Sequence, residues 1–364
     1  MKIIGQNIKY QDSMKQKASG LLGGMVLFFL LLLGGYFFLL GQQVIIAESQ
    51  LEKLVRSETG RSEGRLFRFY LKEITELDAS GLGITDLAGI EHLRNLEVLN
   101  LEDNAVSDLT PLRELRRLAD LSLRNNGITD LEAVNFSAVA GLPLERLSLR
   151  HNVVRPEEGP QARLSDISLL ASLVFLKELE LRDNHIENIS PLKELGELRI
   201  LDISQNPLRD GALENVSGLT RLRELNIRET GTSSLVPIKN LEELVYLNIH
   251  SNRELDTIAP VAGYSSLEVL IARNVPIKDE IVLLSNLERL WRLNIRNCGV
   301  KDVSVLASLM ERGALQDDLS LDIRGDVDIR ENPIPVLEIE GYDGYAPLRP
   351  YWDNITRREP RDLP

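Results

Sequence analysis

From Ile74 to Ile334, apolar and polar positions recur about every 22 residues in the wording L-x-x-L-x-L-x-x-N-x-I-x-D-L-x-x-L, with Ile, Val and Leu interchangeable. The register runs through Leu77, Leu99, Leu121, Leu147, Leu179, Leu201, Leu225, Leu247, Leu270 and Leu293 and, after a longer step, Val327. A fixed period of this length predicts units that bury their cores between neighbours rather than within themselves. Each Leu-x-Leu pair reads as a short strand with its leucines inward and the flanking residues outward. About eleven such strands are expected, forming a concave parallel β-sheet. The segments after them, such as Ser107-Asp108-Leu109-Thr110-Pro111-Leu112, place a Pro where a first helical turn tolerates it. They predict 3-10 or one-turn helices on the convex side.

Five residues after each register leucine stands a small hydrogen-bonding side chain: Asn104, Asn126, Asn152, Asn184, Asn206, Asn252 and, at the end, Asn332. A turn buried in a stack leaves backbone groups beyond the reach of water, and an inward amide offers donors and an acceptor to satisfy them. Thr230 and Cys298 suit the same slot, whereas Leu82 and Val275 do not. Repeats one and nine must therefore close this turn differently. Longer steps place extra residues near Val134 to Pro143, Arg155 to Arg163 and Met310 to Asp326, which are expected to leave the stack as loops.

Over about 260 of the 364 residues this wording resembles the leucine-rich repeats of bacterial internalins and of phosphatase-regulatory relatives. The resemblance implies an α/β leucine-rich repeat solenoid, a horseshoe whose fold serves adhesion, receptor and scaffold roles and does not name a ligand. The region 42–73 looks like the linker and helical N-terminal cap that precede such arrays, with the repeats at 74–334. Residues 335–364, rich in Pro and aromatic residues, read as a C-terminal cap or tail. No immunoglobulin-like module or L-P-x-T-G signal follows, so a host-invasion role is not implied.

Between Ala18 and Ala47 no residue is charged until Glu48, and 21–40 reads LLGGMVLFFLLLLGGYFFLL. Twenty residues of helix cover about 30 Å, the hydrocarbon thickness of a bilayer. We read 19–41 as an N-terminal transmembrane helix acting as an uncleaved signal-anchor, since the apolar region of a cleaved signal peptide is shorter. The tail 1–18 holds Lys2, Lys9, Lys15 and Lys17 against Asp12 alone, which places it in the cytoplasm and the repeats outside, in the periplasm or at the cell surface.

The formal charge is −13, and the chain beyond residue 40 holds 38 basic against 54 acidic residues, which argues against nucleic acid as a partner. One cysteine excludes internal disulfides, and Cys298 in a ladder slot reads as a structural thiol. His92, His151, His185 and His250 lie in different repeats without metal-ligand spacing, and no nucleophile or phosphate-loop motif occurs. No enzyme activity, metal or cofactor is expected.

Binding is expected on the concave sheet, roughly 50 Å long at the usual strand spacing. Its outermost column is Ser80, Glu102, Arg124, Arg150, Arg182, Ser204, Arg228, His250, Arg273, Arg296 and Arg330. In repeats one to seven, apart from repeat four with Arg146 and Arg150, acids in the adjacent columns supply counter-charge. Repeats eight to ten present Tyr246, Asn248, His250, Val269, Ile271, Arg273, Arg292, Asn294 and Arg296 with no acid among them. Exposed aromatic and aliphatic residues beside uncompensated Arg make this the expected ligand site. The partner class is a protein or an anionic envelope polymer; the alternative is a scaffold that organises a membrane complex through its lateral faces. Alkaline carbonate washing is expected to leave the full chain in the membrane fraction, and its release into the supernatant would remove the anchor reading.

Overall fold

A computed structural model describes residues 43–154, 162–317 and 324–334, with single positions at 35, 348, 354 and 355. Eleven three-residue strands form one parallel sheet: Glu76–Asp78, Val98–Asn100, Asp120–Ser122, Arg146–Ser148, Glu178–Glu180, Ile200–Asp202, Glu224–Asn226, Tyr246–Asn248, Val269–Ile271, Arg292–Asn294 and Asp326–Asp328. We number the repeats one to eleven by these strands. They pair in sequence order and in register, so Leu77, Leu99 and Leu121 stand level, as do Leu247, Leu270 and Leu293. The opposite side is built mainly from short 3-10 helices, among them Thr110–Glu114, Ser190–Glu194 and Ala259–Gly263, each with Pro as its second residue. The leucines of both sides close one continuous core along the array.

The Asn column forms the expected ladder. Asn152 is fully buried; its Nδ2 donates to the carbonyls of Leu123 at 3.1 Å and Leu149 at 3.0 Å. Its Oδ1 accepts from the backbone N–H of Asn126 at 3.0 Å and Ile128 at 3.1 Å. Asn184, Asn206 and Asn252 likewise donate to the carbonyl of their own repeat and of the one before. Cys298 keeps half of this function: its thiol donates to the Ala272 carbonyl at 3.0 Å, and burial pushes its pKa up to about 12. Val275 offers no acceptor, so the Asn252 N–H reaches only the Ile249 carbonyl, at 3.4 Å.

The residue before each ladder position adopts a left-handed conformation: Asp103, Asn125, His151, Asp183, Gln205, Glu229, Ser251, Asn274, Asn297 and Glu331, with Gly81 in repeat one. This conformation is costly for most side chains and turns the chain sharply out of the strand. It recurs whether or not the following residue is Asn, which marks it as the backbone requirement of the turn.

Two insertions differ from the loops expected. Val134 to Pro143 folds inward, with Phe136 and Val139 fully buried, because its apolar side chains extend the core under repeats three and four. In the third, a helix at Val305–Glu311 buries Leu306, Leu309 and Met310, and residues 318–323 lie outside the described part. The second opens as an antiparallel pair, Val153–Val154 with Ala162–Arg163. Before the repeats, the helix Ser49–Glu58 buries Leu51 and Val55, and the pair Gln43–Val44 with Leu66–Phe67 lies alongside. Gly89, at φ 104°, admits this segment closely; a Cβ there would lie 2.5 Å from the Ile45 carbonyl oxygen. From the tail, Ile355 bridges to Val327 of the last strand. Among the described residues no helix is long and apolar enough to cross a membrane; the expected span at 21–40, Gly35 apart, lies outside them.

Asn152→Ala leaves three buried groups unpaired at once, the Leu123 carbonyl and the N–H groups of Asn126 and Ile128, while the Leu149 carbonyl keeps the Asn184 amide. At about 1 to 3 kcal/mol for each buried group left unpaired, a loss of at least about 3 kcal/mol is expected in urea unfolding. A loss under about 1 kcal/mol would show that the turn does not depend on its amide.

Candidate binding face

The nine residues expected at the site form a three-by-three grid. Tyr246, Val269 and Arg292 are register partners in one row, and Asn248, Ile271 and Asn294 in the next. His250, Arg273 and Arg296 follow two residues later on the same strands' exits. The sheet's parallel register brings all nine together, but their surroundings differ from the expectation in two ways.

The first concerns exposure. Val269 and Arg292 are buried, at 6% and 9% relative exposure, as is Asn248, while Tyr246 and Ile271 are half-buried. On a curved face, neighbouring strands turn their outward side chains toward one another and shield them. Asn248 and Asn294 also have local work: each Oδ1 accepts the N–H two residues on, at 3.0 Å from His250 and 3.1 Å from Arg296. Asp78, Asn100, Asp202, Asn226 and Asp328 do the same elsewhere, so this column caps the strand end in seven of the eleven repeats.

The second concerns charge, which is largely compensated from repeat eleven. Arg292 lies 3.6 Å from Asp326, its register partner, and Arg296 pairs with Glu331 in the left-handed column. That column supplies counter-groups along the face: Gln205 accepts from Arg182 at 2.8 Å and Glu229 from Arg228 at 2.8 Å. Arg124 pairs with Glu102, Arg150 lies 3.6 Å from Glu180, and Arg330 bonds Asp328 at 2.9 Å. Of the seven arginines in the outermost column, Arg182 and Arg273 have no ion pair among the described residues; Arg182 is engaged by Gln205, whereas the Arg273 Nε is buried without a hydrogen-bond partner. The left-handed column was missed in the sequence because its requirement is conformational. Its enrichment in Asn, Asp and Gly before the ladder slot was the available signal.

His250 is held between these groups. Its Nδ1 lies 2.8 Å from the Arg273 carbonyl, which only accepts, so Nδ1 carries the hydrogen. Nε2 faces Ser251 Oγ at 3.3 Å and Glu229 at 3.9 Å. Burial, reinforced by Arg228 and Arg273, lowers its pKa below 6.5 against the opposing pull of the carbonyl and Glu229. The ring is thereby kept neutral at one corner of the grid, beside Arg273.

No protein-family model matches the chain. An internalin from Listeria monocytogenes is 30% identical with a TM-score of 0.56, and the match covers 63% of this chain and 95% of that one. A second internalin of the same species has a TM-score of 0.66 at 24% identity, over 87% of this chain and 97% of its own, a likeness of fold. In sequence, a putative disease resistance protein from Arabidopsis thaliana is 30% identical over 177 residues, 48% of this chain. The chain spans about a fifth of the length of that relative, 19%.

A depressed His250 pKa means the unfolded chain binds the proton more readily, so stability falls as pH drops from about 6.5 through the lower folded value. His250→Asn is expected to reduce this acid loss relative to the parent chain. Identical pH profiles of the urea midpoint, measured between pH 7.5 and 5, would show that the ring is not held neutral.

Proposed function

The chain is a leucine-rich repeat protein, and from that premise we propose that it is a membrane-anchored binding protein whose concave face at repeats eight to ten takes a protein partner. Its solenoid stands outside the cytoplasm on the helix 19–41 and carries no enzymatic activity of its own. The observation that carries the binding reading is Arg273, a cation with a buried, unsatisfied Nε and no ion pair among the described residues, beside half-buried Tyr246 and Ile271. In the sheet columns around it, no acid occurs between Glu224 and Asp326 or between Asp202 and Asp328. A partner presenting a carboxylate to Arg273 and an apolar side chain to Tyr246 and Ile271 would satisfy both needs. Aromatic and Arg groups in such partly desolvated positions dominate interface energies, at about 2 kcal/mol or more for a hot spot. Arg292 and Arg296, engaged by Asp326 and Glu331, serve to frame the site.

A scaffold reading draws on a different observation: Val174, Phe175, Val236 and Val282 are exposed apolar side chains away from the concave grid. In that reading the solenoid organises a membrane complex through these faces. An anionic envelope polymer on the Arg column would instead depend on several arginines and on salt.

A photocrosslinking residue at position 271 of the full chain, in its own membrane, separates these readings. We expect a discrete adduct that Arg273→Glu abolishes while the melting midpoint stays unchanged, because that substitution breaks no described ion pair. An adduct at position 282 and none at 271 would place the function on the outer faces.

A further inference from the structure

An open cavity lies beside the sheet, on the edge where the chain enters the strands of repeats six to ten. It encloses about 480 Å³ and is lined chiefly by Arg199, Arg221, Arg223 and Arg289, with Glu243 and Ser266. Four guanidiniums converge here on a chain whose formal charge is −13.

The repeats themselves supply the comparison that makes this unusual. The same two columns elsewhere pair cation with acid: Arg117 with Glu97, and Lys177 with Glu145 at 2.7 Å. Within the cavity, Arg221 pairs with Glu197 and Arg289 with Glu268, the latter at 2.7 Å. Arg199 and Arg223 break the pattern. They occupy equivalent positions in adjacent repeats, joined by the Arg223 N–H to the Arg199 carbonyl at 2.8 Å, and neither has an ion pair among the described residues. Both are exposed, and Lys177 precedes them in the column, so three cations follow one another with only the first engaged by an acid.

We propose that this cavity binds a phosphate ester. Backbones in adjacent repeats stand about 4.8 Å apart, which lets two Arg forks reach different oxygens of one tetrahedral dianion. A carboxylate is already satisfied by a single fork. The Ser266 hydroxyl adds a neutral donor. Glu243 lines the same cavity without an ion pair among the described residues, and a carboxylate there disfavours a bare anion. It suits a ligand whose phosphate is joined to an alcohol portion bearing hydroxyls, with Glu243 accepting from one of them. The volume falls within the range of small-molecule sites, about 300 to 1,000 Å³, and exceeds what phosphate alone fills. The site is separate from the concave grid and needs no partner there.

Isothermal titration of the full chain in detergent with glycerol phosphate, at constant ionic strength, tests the assignment, and vesicles containing phosphatidylglycerol test whether the ester is a lipid headgroup instead. Saturable binding in either arm is expected to weaken at least tenfold in Arg199→Ser with Arg223→Ser, and to persist in Arg117→Ser, which removes a paired arginine from the same columns. Glu243→Gln should narrow the preference for glycerol phosphate over inorganic phosphate. Circular dichroism and the melting midpoint of the double variant confirm that it is folded. Absence of saturable binding in both arms, or binding that survives the double substitution, would overturn the proposal.

Discussion

Everything on the surface of this molecule depends on an amide buried beneath it. A strand of three residues contributes little alone, and a turn packed between two neighbours cannot use water for its N–H and carbonyl groups. The ladder Asn answers both problems by bonding across the boundary between repeats, as Asn152 does to Leu123, Asn126 and Ile128. The bond network thus makes each repeat part of its neighbour's turn. Leucines above and below supply the burial, but burial alone would accept a shifted stack. The amide accepts one register, because only one places the two carbonyls and two N–H groups within reach.

A single register is what gives the outward columns their meaning. Once strands stand level, residues far apart in sequence become vertical neighbours, and their charges either compensate or accumulate. Arg292 meets Asp326 across 34 residues, and Arg117 meets Glu97 across 20. On the sheet face and along its entry edge, most arginines are answered in this way. Departures from that habit are Arg273 on the concave face, where Arg182 at least meets Gln205, and the pair Arg199 and Arg223 on its edge. Both candidate sites are departures from a rule that the remaining repeats state repeatedly. At the ladder, Val275 is a comparable departure, directly beneath the grid around Arg273.

The strands, their number and the ladder were legible in the sequence because they rest on residue types at a fixed period. Leu and Asn at their slots are chemical requirements, and chemistry shows in the letters. The left-handed column was not read, since Asp103, Gln205 and Ser251 share a conformation and little chemistry. Compensation of Arg296 by Glu331 was also missed, because the long step from Leu293 to Val327 obscures which residues stand beside which. Length alone predicts a loop at Val134 to Pro143, whereas Phe136 and Val139 extend the core. The edge cavity draws on columns before each strand, where no repeating residue type announces a role.

Native-state hydrogen exchange, read residue by residue along the array, tests the controlling role of the amide ladder most directly. The N–H groups of Asn152 and Thr230, which bond to Asn184 and Asn252 of the next repeat at 3.0 and 3.2 Å, are expected to exchange as slowly as the strand amides. The Asn252 N–H, facing Val275 where the ladder lapses, is expected to exchange markedly faster. Equal protection at all three positions would contradict the ladder as the element that holds the stack in register.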